Sequence, residues 1–357
     1  MEITNNICIG LMSGTSLDGL DIVAAVIDEK LSRFQYKIIA SSTVQYPDSI
    51  SSTLAKATSL SGYELTQLDH HLGQFFGNSV NRFVEEKQID KSTVRLIASH
   101  GHTVFHQPDK GFTLQIGHGA DIAAQTKCKV INDFRIEDVV NGGQGAPLVP
   151  IGDRLLFSDF DACINLGGFS NISFEYQNKR IAFDICPCNL PLNRLAQQWE
   201  YSYDKNGTIA KSGVVNDTLL KQLQHLPYYQ KPAPKSLGVE WLQDVFEKNF
   251  SYQKSPDLMR TLTEHIALQI SDVINKNQLQ NVLFSGGGTH NSFLMQCIRE
   301  RTHANIHIPD DQTIDYKEAL VFAFLGWLKD EKKNNVLSSV TGSNSDGCYG
   351  ITYLPPV

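Results

Sequence analysis

Apolar residues open the chain in two runs, Ile7 to Met12 and Leu20 to Asp28, and then alternate with polar ones through Phe34-Gln35-Tyr36-Lys37-Ile38-Ile39. Apolar runs bounded by turn residues, followed by alternation, predict three consecutive strands. Ser61 and Glu64 form a capping-box pattern, and Leu65, Leu68, Leu72, Phe75, Phe76, Val80 and Phe83 recur at helical spacing, which predicts a long amphipathic helix. Val94 to Ser99 reads as a buried strand, and TLQIG (Thr113 to Gly117) before a helix near Asp121 to Gln125 continues the β/α alternation. After the glycine-rich stretch Asn141 to Pro150 the pattern restarts, with Ala162 to Tyr176 again strand, glycine turn, strand. The remainder predicts helices over Leu190 to Glu200, Val214 to Gln224, Val239 to Asn249, Pro256 to Asn275, near Asn291 to Arg301, and over Tyr316 to Lys329. A strand running into glycines (NVLFSGGG, Asn281 to Gly288) interrupts them, and a short strand ends the chain.

At 357 residues the chain exceeds one ordinary core, which stops growing at roughly 250 to 300 residues, so two domains with a cleft are expected. Hydrophobic content of 41% and charged content of 19% are those of a globular protein, and no run reaches the roughly 18 apolar residues of a membrane span. Met1 to Ile7 lacks the charged and apolar regions of a secretion signal, so a cytoplasmic location is expected and no membrane partner. The odd count of 7 cysteines argues against a disulfide framework. A net charge of −7 without a basic stripe argues against nucleic acid as a partner. A phosphate-bearing ligand would then be held by backbone amides and a metal.

Three glycine-rich turns each follow an apolar strand: Gly14-Thr15-Ser16-Leu17-Asp18-Gly19, Gly167-Gly168 and Gly286-Gly287-Gly288. Consecutive amides in such turns can form an anion-binding nest for phosphates, although any one of them alone equally suits a tight turn. His100, His102 and His106 stand in an H-x-H-x3-H spacing that could bind zinc, but no second cluster completes such a site. Cys186-Pro187-Cys188 is not a C-x-x-C pair and reads as two packed or partly exposed thiols.

GLMSGTSLDGLDIVAAVID, ASHGHTVFHQP, TLQIG, NDFR, GGQGAPLVP, INLGGFSNIS, AFDICPCN, YDKNGTIAKSG, PKSLG, SGGGTHN, EALVFAFLG and SVTG follow one another from Gly10 to Gly342. In that order they resemble the signature blocks of the anhydro-N-acetylmuramic acid kinase family, within the actin/hexokinase-like sugar kinases. The resemblance implies an α/β fold of two actin-like (ribonuclease H-like) domains with an ATP and substrate cleft between them. Domain I would comprise residues 1–133 with about 336–357, and domain II residues 134–335 with the adenosine-binding turn.

It also implies a coupled reaction in which water opens the 1,6-anhydro bridge of the amino sugar and O6 takes the γ-phosphoryl of ATP. Asp184, at the end of the apolar run Ile181-Ala182-Phe183, corresponds to the general base, a role a carboxylate suits, although such a position also suits an Asx-turn or N-cap. The implied ATP contacts are Gly14, Thr15, Ser16, Asp18, Gly19, Asp21, Asn165, Gly167, Gly168, Gly286, Gly287 and Gly288, with Asp18 holding Mg2+ directly or through water. The implied sugar contacts are His100, His102, Thr103, Asp133, Arg135, Gln144, Asn189 and Glu318, with Asp133 and Arg135 an inter-domain or substrate-carboxylate pair, or else a surface salt bridge. Glu318 also suits the dipole of the last helix's start. A homodimer is what the family suggests.

The chain departs from the family where F-D-T-G-P-x-N becomes Phe183-Asp184-Ile185-Cys186-Pro187-Cys188-Asn189, an aspartate becomes Asn193 and H-G-Q-T becomes H-G-H-T at His102. Likewise P-K-S-T-G-R-E becomes Pro234 to Glu240, PKSLGVE. Altered sugar-side residues leave open a kinase of a related sugar, or a sugar or nucleotide sensor without turnover.

Overall fold

The computed structural model describes residues 6–14, 17, 19–31 and 33–356. Thr15, Ser16 and Asp18, expected at the phosphates and the magnesium, lie outside the described residues. The chain forms two compact units, residues 1–156 with 316–357, and residues 157–315.

In the first unit the strands are β1 (Ile7–Ser13), β2 (Leu20–Lys30), β3 (Arg33–Val44), β4 (Val94–Gln107), β5 (Phe112–Ile116), β6 (Val130–Asn132) and β12 (Ile351–Tyr353). Its sheet runs β12-β6-β4-β1-β2-β3, with β5 on β4. β1, β2 and β3 form the antiparallel meander that the opening runs predict, and β1 pairs parallel with β4, which pairs parallel with β6. The helices are α1 (Asp48–Leu54), α2 (Gly62–Glu86), α3 (Gly119–Thr126), α4 (Ile136–Val140), α5 (Val149–Leu156), most of α12 (Asp311–Asp330) and α13 (Ser338–Thr341). The Ser61–Glu64 capping box forms as expected, and Leu72, Phe76, Val80 and Phe83 carry the buried stripe of α2 into the core with Ile9, Leu11, Ile22 and Val26.

The second unit repeats the plan with β7 (Ala162–Leu166), β8 (Phe169–Tyr176), β9 (Lys179–Pro187), β10 (Asn281–Ser285) and β11 (Asn305–His307). Its order is β11-β10-β7-β8-β9, again an antiparallel meander whose first strand pairs parallel with a later one. This shared arrangement is the ribonuclease H-like one, so the fold is α/β with the plan used twice. Around this sheet lie α6 (Asn189–Ala196), α7 (Thr208–Ser212), α8 (Asp217–Gln224), α9 (Val239–Trp241), α10 (Pro256–Lys276) and α11 (Ser292–Arg299). Leu262, Ile266 and Ile270 of α10 pack with Ile164, Ile172 and Phe284 in a core of its own.

The borders differ from the expected 133/134 and 335/336, falling at 156/157 and 315/316. The reason is packing: Asp153 of α5 pairs with Lys317 of α12 at 2.6 Å, both 6% exposed. The backbone of α12 also rests directly on β1, since a Cβ built on Gly10 would stand 1.8 Å from the Ala319 carbonyl oxygen. α12 starts at Asp311 rather than Tyr316 because Asp310 Oδ1 accepts the Thr313 amide at 2.8 Å and caps the earlier turn. The expected helix over Val239 to Asn249 is broken into α9, a π turn and a 3-10 turn. β4 continues past Ser99 to Gln107 because its second half pairs with β5. No described helix is long and apolar enough to cross a membrane.

Candidate active site

In the second unit β7 and β10 are parallel neighbours, with Ser285 opposite Asn165. Their carboxyl ends therefore deliver the Gly167-Gly168 and Gly286-Gly287-Gly288 turns to one edge, where open α/β sheets bind ligands. Gly286 has φ 83, and a Cβ there would lie 2.3 Å from Asn165 Oδ1, so glycine alone lets the end of β10 pass Asn165. Gly287 meets nothing within 4 Å and faces open space. That space is a cavity of about 510 Å³ lined by Asn189, Asn193, Lys205, Asn206, Gly287 and His290, among others, a size that suits a small-molecule ligand. Amide groups, a cationic side chain and turn backbone are the groups a nucleotide can use.

Asn189, expected at the sugar, stands at this edge: its Nδ2 donates to Leu166 O at 2.8 Å and its amide to Gly167 O at 3.1 Å. Asn193, one of the departures, lines the same cavity. Lys205 and Asn206 carry no expected role. The available signal was the Asn206-Gly207 pair, whose φ values of 58 and 68 make the turn that places them, and Asp204 holds it by accepting the Ile209 and Ala210 amides at 2.9 and 3.0 Å.

Asp184 sits in β9 at a bulge: Asn171 pairs with Asp184 and Ser170 with Cys186, leaving Ile185 as the extra residue. Its Oδ2 accepts the Leu237 amide at 2.8 Å, its amide donates to Lys235 O at 3.1 Å, and its carbonyl accepts the Tyr228 hydroxyl at 2.6 Å. Burial raises its carboxyl above the ordinary aspartate value, and the Leu237 hydrogen bond works against that rise. Lys235, over the Tyr228 ring at 4.6 Å, is held below its ordinary value by burial first. The segment from Pro234 to Leu237 thus grips the carboxylate by its backbone, although its sequence differs from the family block. Ile185, Cys186 and Cys188 are 2%, 0% and 0% exposed and belong to the hydrophobic core. The two cysteines are packed, not partly exposed, and burial raises Cys186 to about 12, the value of an inert thiol.

In the first unit Gly14 and Gly19 flank the β1–β2 connection, the counterpart of Gly167-Gly168 between β7 and β8. Asp21, early in β2, accepts the Thr43 hydroxyl at 2.6 Å. His100 Nε2 accepts from Arg135 Nε at 3.1 Å and lies 2.9 Å from its Nη2, while His100 Nδ1 donates to Gly101 O at 2.9 Å. Burial first, and Arg135 next, hold His100 well below its ordinary value, so the ring is neutral. Arg135 is pushed down to about 10 by burial, with Glu318 and Asp138 opposing, and its Nη1 donates to Gly145 O at 2.6 Å. Asp138 organises the neighbouring loop, accepting the Gly145 amide at 2.7 Å and the Thr341 hydroxyl at 2.8 Å, which leaves the Gln144 side chain exposed. The Glu318 side chain presents surface, yet the protein atoms around it raise its carboxyl, against the pull of Arg135 and Lys317 and with the push of Asp21. Accessibility decides what it can touch, so Glu318 is available to a ligand.

Gly101, at φ 76, breaks the alternation of β4, so His100 and His102 take different partners. His102 Nδ1 lies 2.8 Å from Ser13 Oγ, which accepts from Tyr46 at 2.6 Å, and burial lowers His102. His106 instead contacts Thr113 Oγ1 at 3.1 Å, so the three histidines do not converge on a metal. Thr103 Oγ1 accepts from Gln115 at 3.3 Å. Asp133 does not pair with Arg135: burial raises its carboxyl, and the charges beside it are those of Glu137 and Asp69.

The chain is a phosphotransferase of the sugar kinase class, as its relatives show, and its duplicated ribonuclease H-like plan, with glycine connections at equivalent places in both sheets and a cavity at a third glycine turn, is the frame that carries the site. The chain belongs to the anhydro-N-acetylmuramic acid kinase family, whose profile matches residues 6–355. An anhydro-N-acetylmuramic acid kinase of Francisella tularensis subsp. novicida is 34% identical over 95% of this chain and 96% of its own. One of Vibrio vulnificus is 33% identical over 98% and 99%. Among solved structures, the activator of the 2-hydroxyisocaproyl-CoA dehydratase from Clostridium difficile is 12% identical with a TM-score of 0.45, covering 91% of this chain and 97% of that one.

Proposed function

We propose that the protein opens 1,6-anhydro-N-acetylmuramic acid with water and phosphorylates its O6 from MgATP, giving N-acetylmuramic acid 6-phosphate and ADP. The reading is carried by family membership over residues 6–355 together with a carboxylate at Asp184 that is raised and gripped by backbone. Asp184 takes a proton from water as the water oxygen bonds to C1. The C1–O6 bond breaks, O6 bonds to the γ-phosphorus, and the β–γ bridging oxygen leaves with ADP. A base whose affinity for protons is raised takes the proton more readily. Its backbone clasp leaves Oδ1 for the water.

Asn165, Gly167, Gly168, Gly286, Gly287 and Gly288 hold ATP by their backbone, and the cavity beside Gly287 takes the nucleoside, so the roles of Asn189 and Asn193 shift to the nucleotide. Gly14, Gly19 and Asp21 hold the phosphates, together with Thr15, Ser16 and Asp18. A hard oxygen donor such as the Asp21 carboxylate fits magnesium, which neutralises phosphate charge when bound. Arg135, held through its Nε and Nη2 by the neutral His100, binds the lactyl carboxylate with its remaining Nη hydrogens, and His102, Thr103, Asp133, Gln144 and Glu318 bind the remaining sugar groups. The enzyme works in the cytoplasm, as cysteines outside disulfides suit, and as a homodimer.

The departures at Ile185, Cys186 and Cys188 lie in the core, which removes the main reason to favour another sugar or a sensor. The test is ADP release from MgATP with and without 1,6-anhydro-N-acetylmuramic acid, with mass spectrometry of the product. Sugar-dependent ADP and a ring-opened 6-phosphate are expected. ATP binding without sugar-dependent ADP would overturn the assignment.

A further inference from the structure

In the first unit, His70 on α2, His118 before α3 and Asp121 in its first turn bring one ligand atom each within 4.8 Å of one another. His70 Nδ1 lies 2.6 Å and His118 Nδ1 3.7 Å from Asp121 Oδ2. We propose that these three side chains form a zinc site. Two ligands bound at about 2.0–2.1 Å to a tetrahedral zinc stand about 3.4 Å apart, so the observed spacings bracket the requirement. Imidazole nitrogen with one carboxylate oxygen is a donor set zinc favours, and three protein ligands leave the fourth position to water or an outside ligand.

A second observation points the same way. His118 Nδ1 is buried and has no hydrogen-bond partner, a state that buried polar atoms seldom keep. It is aimed at the carboxylate but stands beyond hydrogen-bond reach of it, and a cation between them satisfies both. The scaffold is firm. The His118 amide donates to Asp69 O at 3.2 Å, and the Gly117 amide to Asp69 Oδ1 at 2.7 Å, so the turn bearing His118 is tied to α2 from both sides of the Gly117–His118 peptide. A Cβ on Gly73 would lie 2.7 Å from His118 O and 3.0 Å from Asp121 Cβ, so the glycine permits the close crossing that assembles the ligands. Tyr353 of β12 backs the His118 ring at 5.6 Å. His70 is 47% exposed and stacks on His118 at 4.7 Å, which leaves it room to turn its nitrogen onto the metal. Bound zinc would clasp α2, the start of α3 and, through Tyr353, the edge strand.

The test uses the full chain stripped by chelator and titrated with zinc against a chromophoric competitor, alongside His70→Ala, His118→Ala and, as control, the neighbouring exposed His71→Ala. One zinc per chain is expected in the parent and in His71→Ala, with binding at least tenfold weaker in the other two. Cobalt should give the intense visible bands of a tetrahedral nitrogen and oxygen site. Thermal unfolding should shift upward with zinc in the parent and not in His70→Ala, whose surface position makes misfolding an unsuitable explanation. No binding at micromolar zinc, equal binding by His70→Ala and His118→Ala, or thiolate-to-cobalt charge-transfer bands from the cysteines would each overturn the proposal.

Discussion

Replacing Asp184 by asparagine separates chemistry from structure because the amide keeps the clasp. Its side-chain oxygen can accept the 2.8 Å bond from the Leu237 amide, and the backbone bonds to Lys235 and Tyr228 are untouched. What disappears is a site able to accept a proton. A positioned general base contributes about 10²–10⁴-fold, which is about 2.7–5.4 kcal/mol of barrier at about 1.36 kcal/mol per decade. The expectation for Asp184→Asn is a kcat lower by that factor, read by coupled ADP release at saturating sugar, with ATP affinity unchanged by calorimetry. The raised carboxyl adds a signature in pH. In the parent, kcat/KM should fall on acidification at a pH above the ordinary aspartate range, and this limb should be absent from the variant. Stability moves the other way. A carboxyl raised in the folded state makes that state bind more protons, so stability is highest below the unfolded aspartate pKa and declines as pH rises through the folded one. Asp184→Asn escapes the decline and should be as stable as the parent or more so at neutral pH. Near-parent turnover, or an acid limb that persists in the variant, would remove Asp184 from the role of base.

Gly287→Ala points a methyl group into open space; unfolding stability should stay within about 0.5 kcal/mol of the parent, while ATP binding weakens roughly tenfold, about 1.4 kcal/mol. Unchanged ATP affinity would mean that the cavity beside Gly287 is not the nucleotide's. Gly10→Ala forces a Cβ to 1.8 Å from the Ala319 carbonyl and should cost about 1–3 kcal/mol or more in denaturant melts, the range of overpacking. Lys317→Met removes the cation that neutralises the buried Asp153 carboxylate and should cost about 3–5 kcal/mol; adding Asp153→Leu should recover most of it, and a double variant no more stable than the single would refute the pairing argument.

The two meanders were legible because their strands are local: apolar runs at Ile7–Met12, Leu20–Asp28 and Ala162–Tyr176 sit next to the turns that join them. The domain borders were not. They depend on Asp153 meeting Lys317 and on α12 lying against β1, contacts between segments far apart in sequence. The start of α12 turned on one cap, Asp310, whose pattern is common in loops. At the site, the glycine turns announced themselves, whereas Lys205 and Asn206 became visible only once the Asn206-Gly207 turn placed them by Gly287. Nor could the sequence show the setting of Asp133, which takes a positive φ of 54 and has the charges of Glu137 and Asp69 beside its carboxyl. His70, His118 and Asp121 share no sequence motif and meet because Gly73 lets two helices cross closely.

The bulge in β9 bears on how such a chain can drift. By adding one residue after Asp184, it turns Ile185 inward and leaves the aspartate's aim set by the ladder to Asn171 and the clasp from Leu237. Positions 185, 186 and 188 therefore answer to volume and hydrophobicity, while position 184 answers to reactivity. A library randomised at those three positions should be sorted by folding, and its folded survivors should share one chemistry, so wide variation beside the reactive carboxylate records exchange within a core and says little about a change of substrate.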